Sequence, residues 1–239
     1  MAWLSIFSTQ RELSPATIMK SLRTNASRRT SGFSLLEMAM VMALIIIMAT
    51  ISFISLQPLM RQQNVNNAYN TVLSAMRQAR DNSVAQRTSY EVILDSTTIP
   101  HSITVQPTFA TPQGIQGPVT YTLSTDIRLS AEAGIPTNPT KTPDGFGTGA
   151  QAIDFGYTGQ GAGVGGKNFI YFCPDGSAQD GTGAGGTGQC TGNVNNGVVY
   201  IARPGDLMSS RALTVWGATG RIRGWRLYNG GGGVAWQRQ

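Results

Sequence analysis

Hydrophobic and polar positions divide the chain into three patterns. From Met38 to Leu56, nineteen consecutive residues carry no charge. Counted from Phe33 the apolar segment has 24 residues, which as a helix span roughly 36 Å at about 1.5 Å per residue. That covers a hydrocarbon core of about 30 Å, so the pattern predicts a transmembrane helix over 33–57. Polar residues then return without breaking the helical period. Val65, Ala68, Tyr69, Val72, Leu73, Met76 and Ala79 recur at three and four residues, with Arg61, Asn66, Asn70, Arg77 and Asn82 on other faces. This spacing predicts an amphipathic helix over 58–87 that continues the first. No glycine lies between Phe33 and Gln113, so the commonest helix terminator is missing. Pro58 is the one interruption; it removes a backbone hydrogen bond and predicts a kinked or loosened turn. The two segments together predict a rod of ~80 Å.

From residue 88 to 239 the period changes. Short runs rich in β-branched and aromatic residues, separated by Gly, Pro, Asn and Asp, predict strands at Tyr90–Leu94, Ser102–Gln106, Val119–Leu123, Ile127–Ser130, Asn168–Cys173, Gly197–Ala202, Ala212–Trp216 and Arg221–Tyr228. Short strands so closely spaced form antiparallel sheet. The apolar face of the helix would cover one side of it, an α+β layer arrangement. Glycine is concentrated here, 28 of 29 lying after residue 113, and the stretches Gly145–Gly166 and Gly176–Gly197 read as long loops.

Charge changes the picture at the N-terminus. Residues 1–32 hold Arg11, Lys20, Arg23, Arg28 and Arg29 against Glu12, which is +4 of the net +6 and leaves +2 for the remainder. Basic residues before the apolar run and few directly after it predict a cytoplasmic N-terminus and a head on the far side of the membrane. Residues 1–32 read as a targeting leader that is removed. Cys173 and Cys190 both fall in the exported part, where a disulfide can persist. Two readings stand for them, a disulfide worth ~3 kcal/mol in the chain-entropy model, or two unrelated free thiols.

Glu37 interrupts the apolar segment a little more than one turn inside it. An unpaired carboxylate costs about 2.5 to 3.5 kcal/mol at mid-bilayer and less near the interface, so it needs a partner. Cleavage after Gly32 would create one, the α-amino group of Phe33 on the same or a neighbouring chain. One reading of the segment is an ordinary signal-anchor helix with a stray acid. The run Gly32-Phe33-Ser34-Leu35-Leu36-Glu37, behind a basic leader, resembles the class III signal of type IV pilins and type II secretion pseudopilins. That resemblance implies cleavage by a prepilin peptidase, N-methylation of Phe33, a role for Glu37 in filament assembly, and packing against other pilins or pseudopilins.

A second resemblance lies at the other end. The run Asn168 to Ser177, with its Pro174-Asp175-Gly176-Ser177 turn, the strand Val198 to Ala202, and Thr219-Gly220-Arg221-Ile222-Arg223 are similar to the C-terminal half of the GspH/FimT branch of the family. The implied fold is the pilin fold, and the implied function is a minor pilin or pseudopilin of a type II secretion or type IV pilus fibre.

From Arg203 onward there are six arginines and one acid, Asp206, a local +5. Arg221 and Arg223 share a strand face by the period of two. Gly224 predicts a bulge that re-aims Trp225 and Arg226. Guanidinium forks pair with phosphates, and Trp216, Trp225, Tyr228 and Trp236 offer surfaces on which bases stack. In FimT-type minor pilins a Gly-Arg-x-Arg motif contributes to DNA binding, and Gly220-Arg221-Ile222-Arg223 matches it. The alternatives are therefore a DNA receptor using Arg221, Arg223 and Arg226, or an exposed strand edge whose arginines deter sheet-to-sheet pairing or meet other subunits.

Other motifs carry no chemistry. Gly161, Gly163 and Gly166 satisfy G-x-G-x-x-G, but a phosphate cradle needs a following helix, and here Asn168 and a strand-like run follow. His101 is the one histidine, and the acidic residues are isolated, so no metal site, cofactor or enzyme activity is expected. The leader is long for the resembled family, and Met19 opens a shorter one, Met19 to Gly32, that keeps Lys20, Arg23, Arg28 and Arg29. Translation is expected to start at Met19. The intact mass of the unprocessed precursor in a peptidase-negative strain reads this directly, and a mass that includes Met1 overturns it.

Overall fold

The computed structural model describes residues 32–108, 117–157, 168–180 and 190–239. The leader before Gly32, the start at Met19 and the Gly161/Gly163/Gly166 motif lie outside the described residues. The architecture is α+β, a long N-terminal helix followed by antiparallel sheets. The helix α1 spans Leu35–Gln86 and continues through Pro58. The chain divides into two units, Met1–Thr50 and Ile51–Gln239.

In the first unit, Leu35 to Thr50 are helical and exposed. Thr50 satisfies its hydroxyl within the helix by donating to the Ile46 carbonyl at 2.7 Å, a local bond that a polar side chain needs in an apolar setting. An 18-residue window of α1 has mean hydropathy 2.5 and none of it is buried, so the helix is long and apolar enough to cross a membrane.

In the second unit the apolar stripe of α1 becomes a packed face. Val65, Ala68, Tyr69, Val72, Ala75, Met76 and Ala79 are buried, the three-and-four spacing of a helix laid on a core. Leu73, expected on the buried stripe, sits at the rim, and Ala75, not expected there, is buried instead. Burying a side chain such as Val72 or Met76 contributes about 1.5–3 kcal/mol. Arg87 ends the helix in the left-handed region, at φ 52°, filling a position usually held by glycine.

Two sheets meet this face. The first orders its strands β3-β2-β1-β6-β7, from Val119–Thr122, Ser102–Pro107, Tyr90–Asp95, Phe169–Phe172 and Ala178–Gln179. The second runs β11-β10-β9-β8-β4, from Gly233–Arg238, Arg221–Gly230, Asp206–Trp216, Asn196–Arg203 and Arg128–Leu129, with β5 (Ile153–Tyr157) also on β8. In β1, Tyr90, Val92 and Leu94 point inward while Glu91, Ile93 and Asp95 are only partly buried, the alternation of a sheet covered on one face. β8 and β9 instead carry nearly unbroken buried runs. One face packs under α1, and the other is covered by Ile135, Phe146, Leu227 and the tryptophans.

All eight expected strands form, with three more that the glycine content hid. β5 lies inside the stretch read as a loop from Gly145 to Gly166, and its register on β8 shifts between Phe155 and Tyr157, around Gly156. β7 lies inside the second such stretch, and β11 follows the run Gly230–Gly233. The expected bulge at Gly224 is absent, since β10 pairs β9 in unbroken register from Arg221↔Trp216 to Arg226↔Arg211. Gly224 serves close approach instead: a Cβ there would lie 1.6 Å from Tyr69 Oη on α1. β11 covers the free side of β10 from Trp225 to Gly230, and the Gln239 N–H reaches the Gly224 carbonyl, so Arg226 is not edge protection. Arg221 to Arg223 have no partner strand on that side among the described residues, and the edge reading stands for Arg221 and Arg223.

His101 is structural. Its Nδ1 accepts the Leu129 N–H at 3.0 Å and its carbonyl accepts the Leu123 N–H at 2.9 Å. Burial, with Arg128 nearby, holds the imidazole pKa below its ordinary value. Protonation removes the acceptor, so this contribution is complete above the unfolded pKa of about 6.5 and is lost as pH falls toward the folded one. Melting temperatures across pH 5–8 should show this loss in the parent chain and not in His101→Gln. Gly224→Ala should cost about 1–3 kcal/mol by overpacking, in part recovered in a Tyr69→Phe background that removes the clashing oxygen, as denaturant titration of the four chains would read.

Candidate functional site

At the N-terminal boundary, Gly32, Phe33 and Ser34 precede the first helical residue, Leu35. Nothing lies within 4 Å of the position a Gly32 Cβ would take, and Phe33 is 74% exposed. This backbone lies outside regular structure and, among the described residues, meets no neighbour there. Glu37 lies in the first turn, where the unsatisfied N–H groups and the helix dipole favour a carboxylate.

In the second unit, the two C-terminal motifs come together although about forty residues separate them. The Pro174–Ser177 turn is closed by Asp175, whose Oδ1 accepts from the Ser177 N–H at 2.8 Å and hydroxyl at 2.7 Å, which holds its pKa below the usual carboxylate range. Gly176 takes φ +83°. Its carbonyl would lie 2.3 Å from a Cβ on Gly220, itself at φ +56°, so only glycine fits the Thr-Gly-Arg turn. Arg80 of α1 donates from Nη2 to the Thr219 carbonyl at 3.1 Å. Behind the first turn Cys173 is bonded to Cys190, Cα–Cα 5.7 Å, and Ser83 of α1 donates to the Cys173 carbonyl at 3.1 Å.

The Thr219–Gly220 turn forms one wall of a cleft of about 610 Å³ between α1 and β10, into which Arg77, Arg80, Arg221 and Arg223 contribute. The arginines have different fates. Arg223 is committed: its Nη1 lies 2.6 Å from Asp144 Oδ1, and its guanidinium carbon is 5.0 Å from the Trp216 ring centroid. Asp144 Oδ2 also accepts from Thr214 Oγ1 at 2.5 Å and Trp216 Nε1 at 2.9 Å. Trp225 extends the chain by donating to Thr214 Oγ1 at 3.1 Å. Arg221 is exposed. Arg226 faces the other side of β10, in a separate cleft with Arg61, Arg203 and Arg211.

Most of the aromatic side chains expected to stack bases are occupied. Trp216 meets Phe146 edge-on with centroids 5.0 Å apart, and Trp236 lies 5.7 Å from Tyr200. Tyr228 is exposed. Sequence reasoning missed Asp144, which organises the tryptophans and Arg223. The turn signal Thr142-Pro143-Asp144-Gly145 marked its backbone but not its partners. It also missed Arg77 and Arg80, which a helical spacing of three places on one face.

No protein-family model, curated protein or solved structure matches the chain.

Asp144→Ala should destabilise the chain by about 2–3 kcal/mol, because a mostly buried guanidinium and an indole N–H lose their acceptor. Adding Arg223→Ala should recover part of that cost. Denaturant titrations followed by tryptophan fluorescence test both, and equal stability of the single and double variants overturns the assignment.

Proposed function

We propose that this chain is a membrane-anchored fibre subunit, a minor pilin or pseudopilin of GspH/FimT type that serves a type II secretion or type IV pilus system. The observation that carries the reading is α1. Its first unit is apolar and exposed, its later turns pack on two antiparallel sheets, and an open Gly32-Phe33 peptide with Glu37 in the first turn stands at its start. Exposed apolar surface of this extent marks an interaction with lipid or with other apolar helices, and a fibre subunit uses both in turn. In this reading a prepilin peptidase removes residues 1–32 on the cytoplasmic side of the inner membrane. The amine of Phe33 then neutralises Glu37 of a neighbouring pilin, and the head lies in the periplasm or in the fibre.

Co-expression with a prepilin peptidase should lower the intact mass by the leader and add one methyl group, and Gly32→Leu should block the change. A mature chain carrying Glu37→Gln should still be cleaved but co-purify less with other fibre subunits. Retention of the precursor mass in the parent chain would sink the proposal.

A second reading, a DNA receptor in natural transformation, is favoured by one observation. Arg221 is exposed in a cleft with Arg77 and Arg80, and the one carboxylate among the lining residues, Asp81, lies 3.9 Å from Arg80. Arg223, held by Asp144, supports the strand in this reading rather than contacting phosphate. Gel-shift titrations of the full chain in detergent should show affinity falling with salt at a slope of about −0.9 per phosphate contact. Arg221→Ala should reduce that slope by about 1, and absence of salt-dependent binding removes DNA from the reading.

A further inference from the structure

The register of β10 on β9 sets Arg226 directly opposite Arg211, an arrangement that is unfavourable for like charges. Arg211 is 4% exposed. Its Nη1 donates to the carbonyls of Ser209 and Ser210, and its Nη2 to Asn66 Oδ1, each at 3.2 Å. All three acceptors are neutral, and Nε has no acceptor. Desolvation, with Arg226 adding to it, pushes the Arg211 pKa down to about 10. Arg61 of α1 and Arg203 of β8 line the same cleft, of about 320 Å³, together with Pro58, Val65 and Met208. Asp206 is the one carboxylate among the lining residues. Among the described residues no ion pair within 4.0 Å involves any of the four arginines.

Four guanidinium groups, one of them buried on neutral acceptors, are offset only in part, by Asp206 in the cleft and by Asp126, which acts on Arg203. This leaves net positive charge in a place where desolvation is costly. An oxyanion reduces that cost, and arginine forks match the paired oxygens of a phosphate. The position along the chain selects the source. Residues 38–60 carry no charge, and Arg61 is the first to do so, so in a membrane-spanning α1 it stands at the depth of the headgroups on the head side. Pro58, Leu59, Met60 and Met208 are exposed around it and offer apolar surface to the glycerol end of a lipid.

We propose that the Arg61/Arg203/Arg211/Arg226 cleft binds the phosphate of an anionic phospholipid headgroup. The site rests on the membrane-anchored reading of α1 and adds to it a headgroup preference held by the head. Binding places α1 and β9–β10 against the bilayer surface together, and extraction into a fibre then requires release of this phosphate as well as of the helix.

The test is native mass spectrometry of the full chain in detergent, titrated with phosphatidylglycerol or phosphatidylcholine, beside Arg203→Gln/Arg226→Gln and the single Arg226→Gln. A charge-matched control, Arg87→Gln/Lys141→Gln, removes two cations elsewhere, and melting temperatures establish that each variant is folded. Phosphatidylglycerol should bind in preference to phosphatidylcholine. The double variant should lose roughly thirtyfold in affinity, about fivefold per arginine, and the control should match the parent. Equal binding of the two lipids, or equal binding by the double variant, overturns the proposal. Displacement of the lipid by inorganic phosphate or by short duplex DNA at matched phosphate concentration also overturns it, by assigning the cleft to a soluble anion. Flotation with phosphatidylcholine vesicles separates the two levels. A chain that floats without headgroup preference keeps its anchor and loses the site, whereas one that does not float loses the anchor itself.

Discussion

The head depends on the closeness with which α1 lies along β10. Gly224 admits Tyr69, and Gly220 admits both Arg80 and the carbonyl of Gly176. Neither position has room for a Cβ, so the helix axis and the strand are held at a separation that only glycine permits. From that contact the rest follows in order. The buried stripe from Val65 to Ala79 reaches residues of both sheets, β8 and β9 become covered on two faces, and β10 turns Arg223 and Trp225 away from the helix toward Asp144. Interiors packed at this density do not give way by an ångström without loss elsewhere.

This geometry also separates residues that adjacency in sequence joins. Arg221, Arg223 and Arg226 lie within six positions, yet one is exposed in the upper cleft, one is bound to a nearly buried carboxylate, and one faces a different cleft across the strand. A strand's alternation accounts for the last. The second follows from Asp144, which enters from a turn some eighty residues earlier. Conversely, the Pro-Asp-Gly-Ser and Thr-Gly-Arg turns, distant in sequence, touch through a glycine carbonyl.

Much of the fold was legible where a period was strong. The helix limits, Leu35 and Gln86 against an expected 33 and 87, came from apolar spacing and the lack of glycine, and the eight strands from β-branched and aromatic runs between turn residues. What was not legible had two causes. Glycine at high density reads as loop, yet Gly156 sits at a register shift within β5 and Gly230 ends β10, so strands next to glycine were lost. Gly224 was assigned to a bulge because a strand glycine signals either a bulge or a close approach, and the choice depends on Tyr69, 155 residues earlier. The same limit applied to the site. Arginines were visible as charge, but which of them were free depended on Asp144 and Asn66, partners that no local pattern announces.

The strand order carries a consequence for when the head can form. β8, β9, β10 and β11 make a meander of neighbours in sequence, each hairpin closing a short loop, whereas β1 must wait for β6, which begins at Phe169. Contacts close in sequence form fast and distant ones slowly. Synthesis runs from the N-terminus, so the apolar stripe of α1 is made first, β1–β3 follow at once, and the rest of its cover, β8 and β9, arrives only after residue 196. For most of its biogenesis the chain therefore carries a finished amphipathic helix with only the early strands β1–β3 to lie on, and the half of its stripe that belongs under the second sheet needs protection until the last fifth of the sequence has emerged.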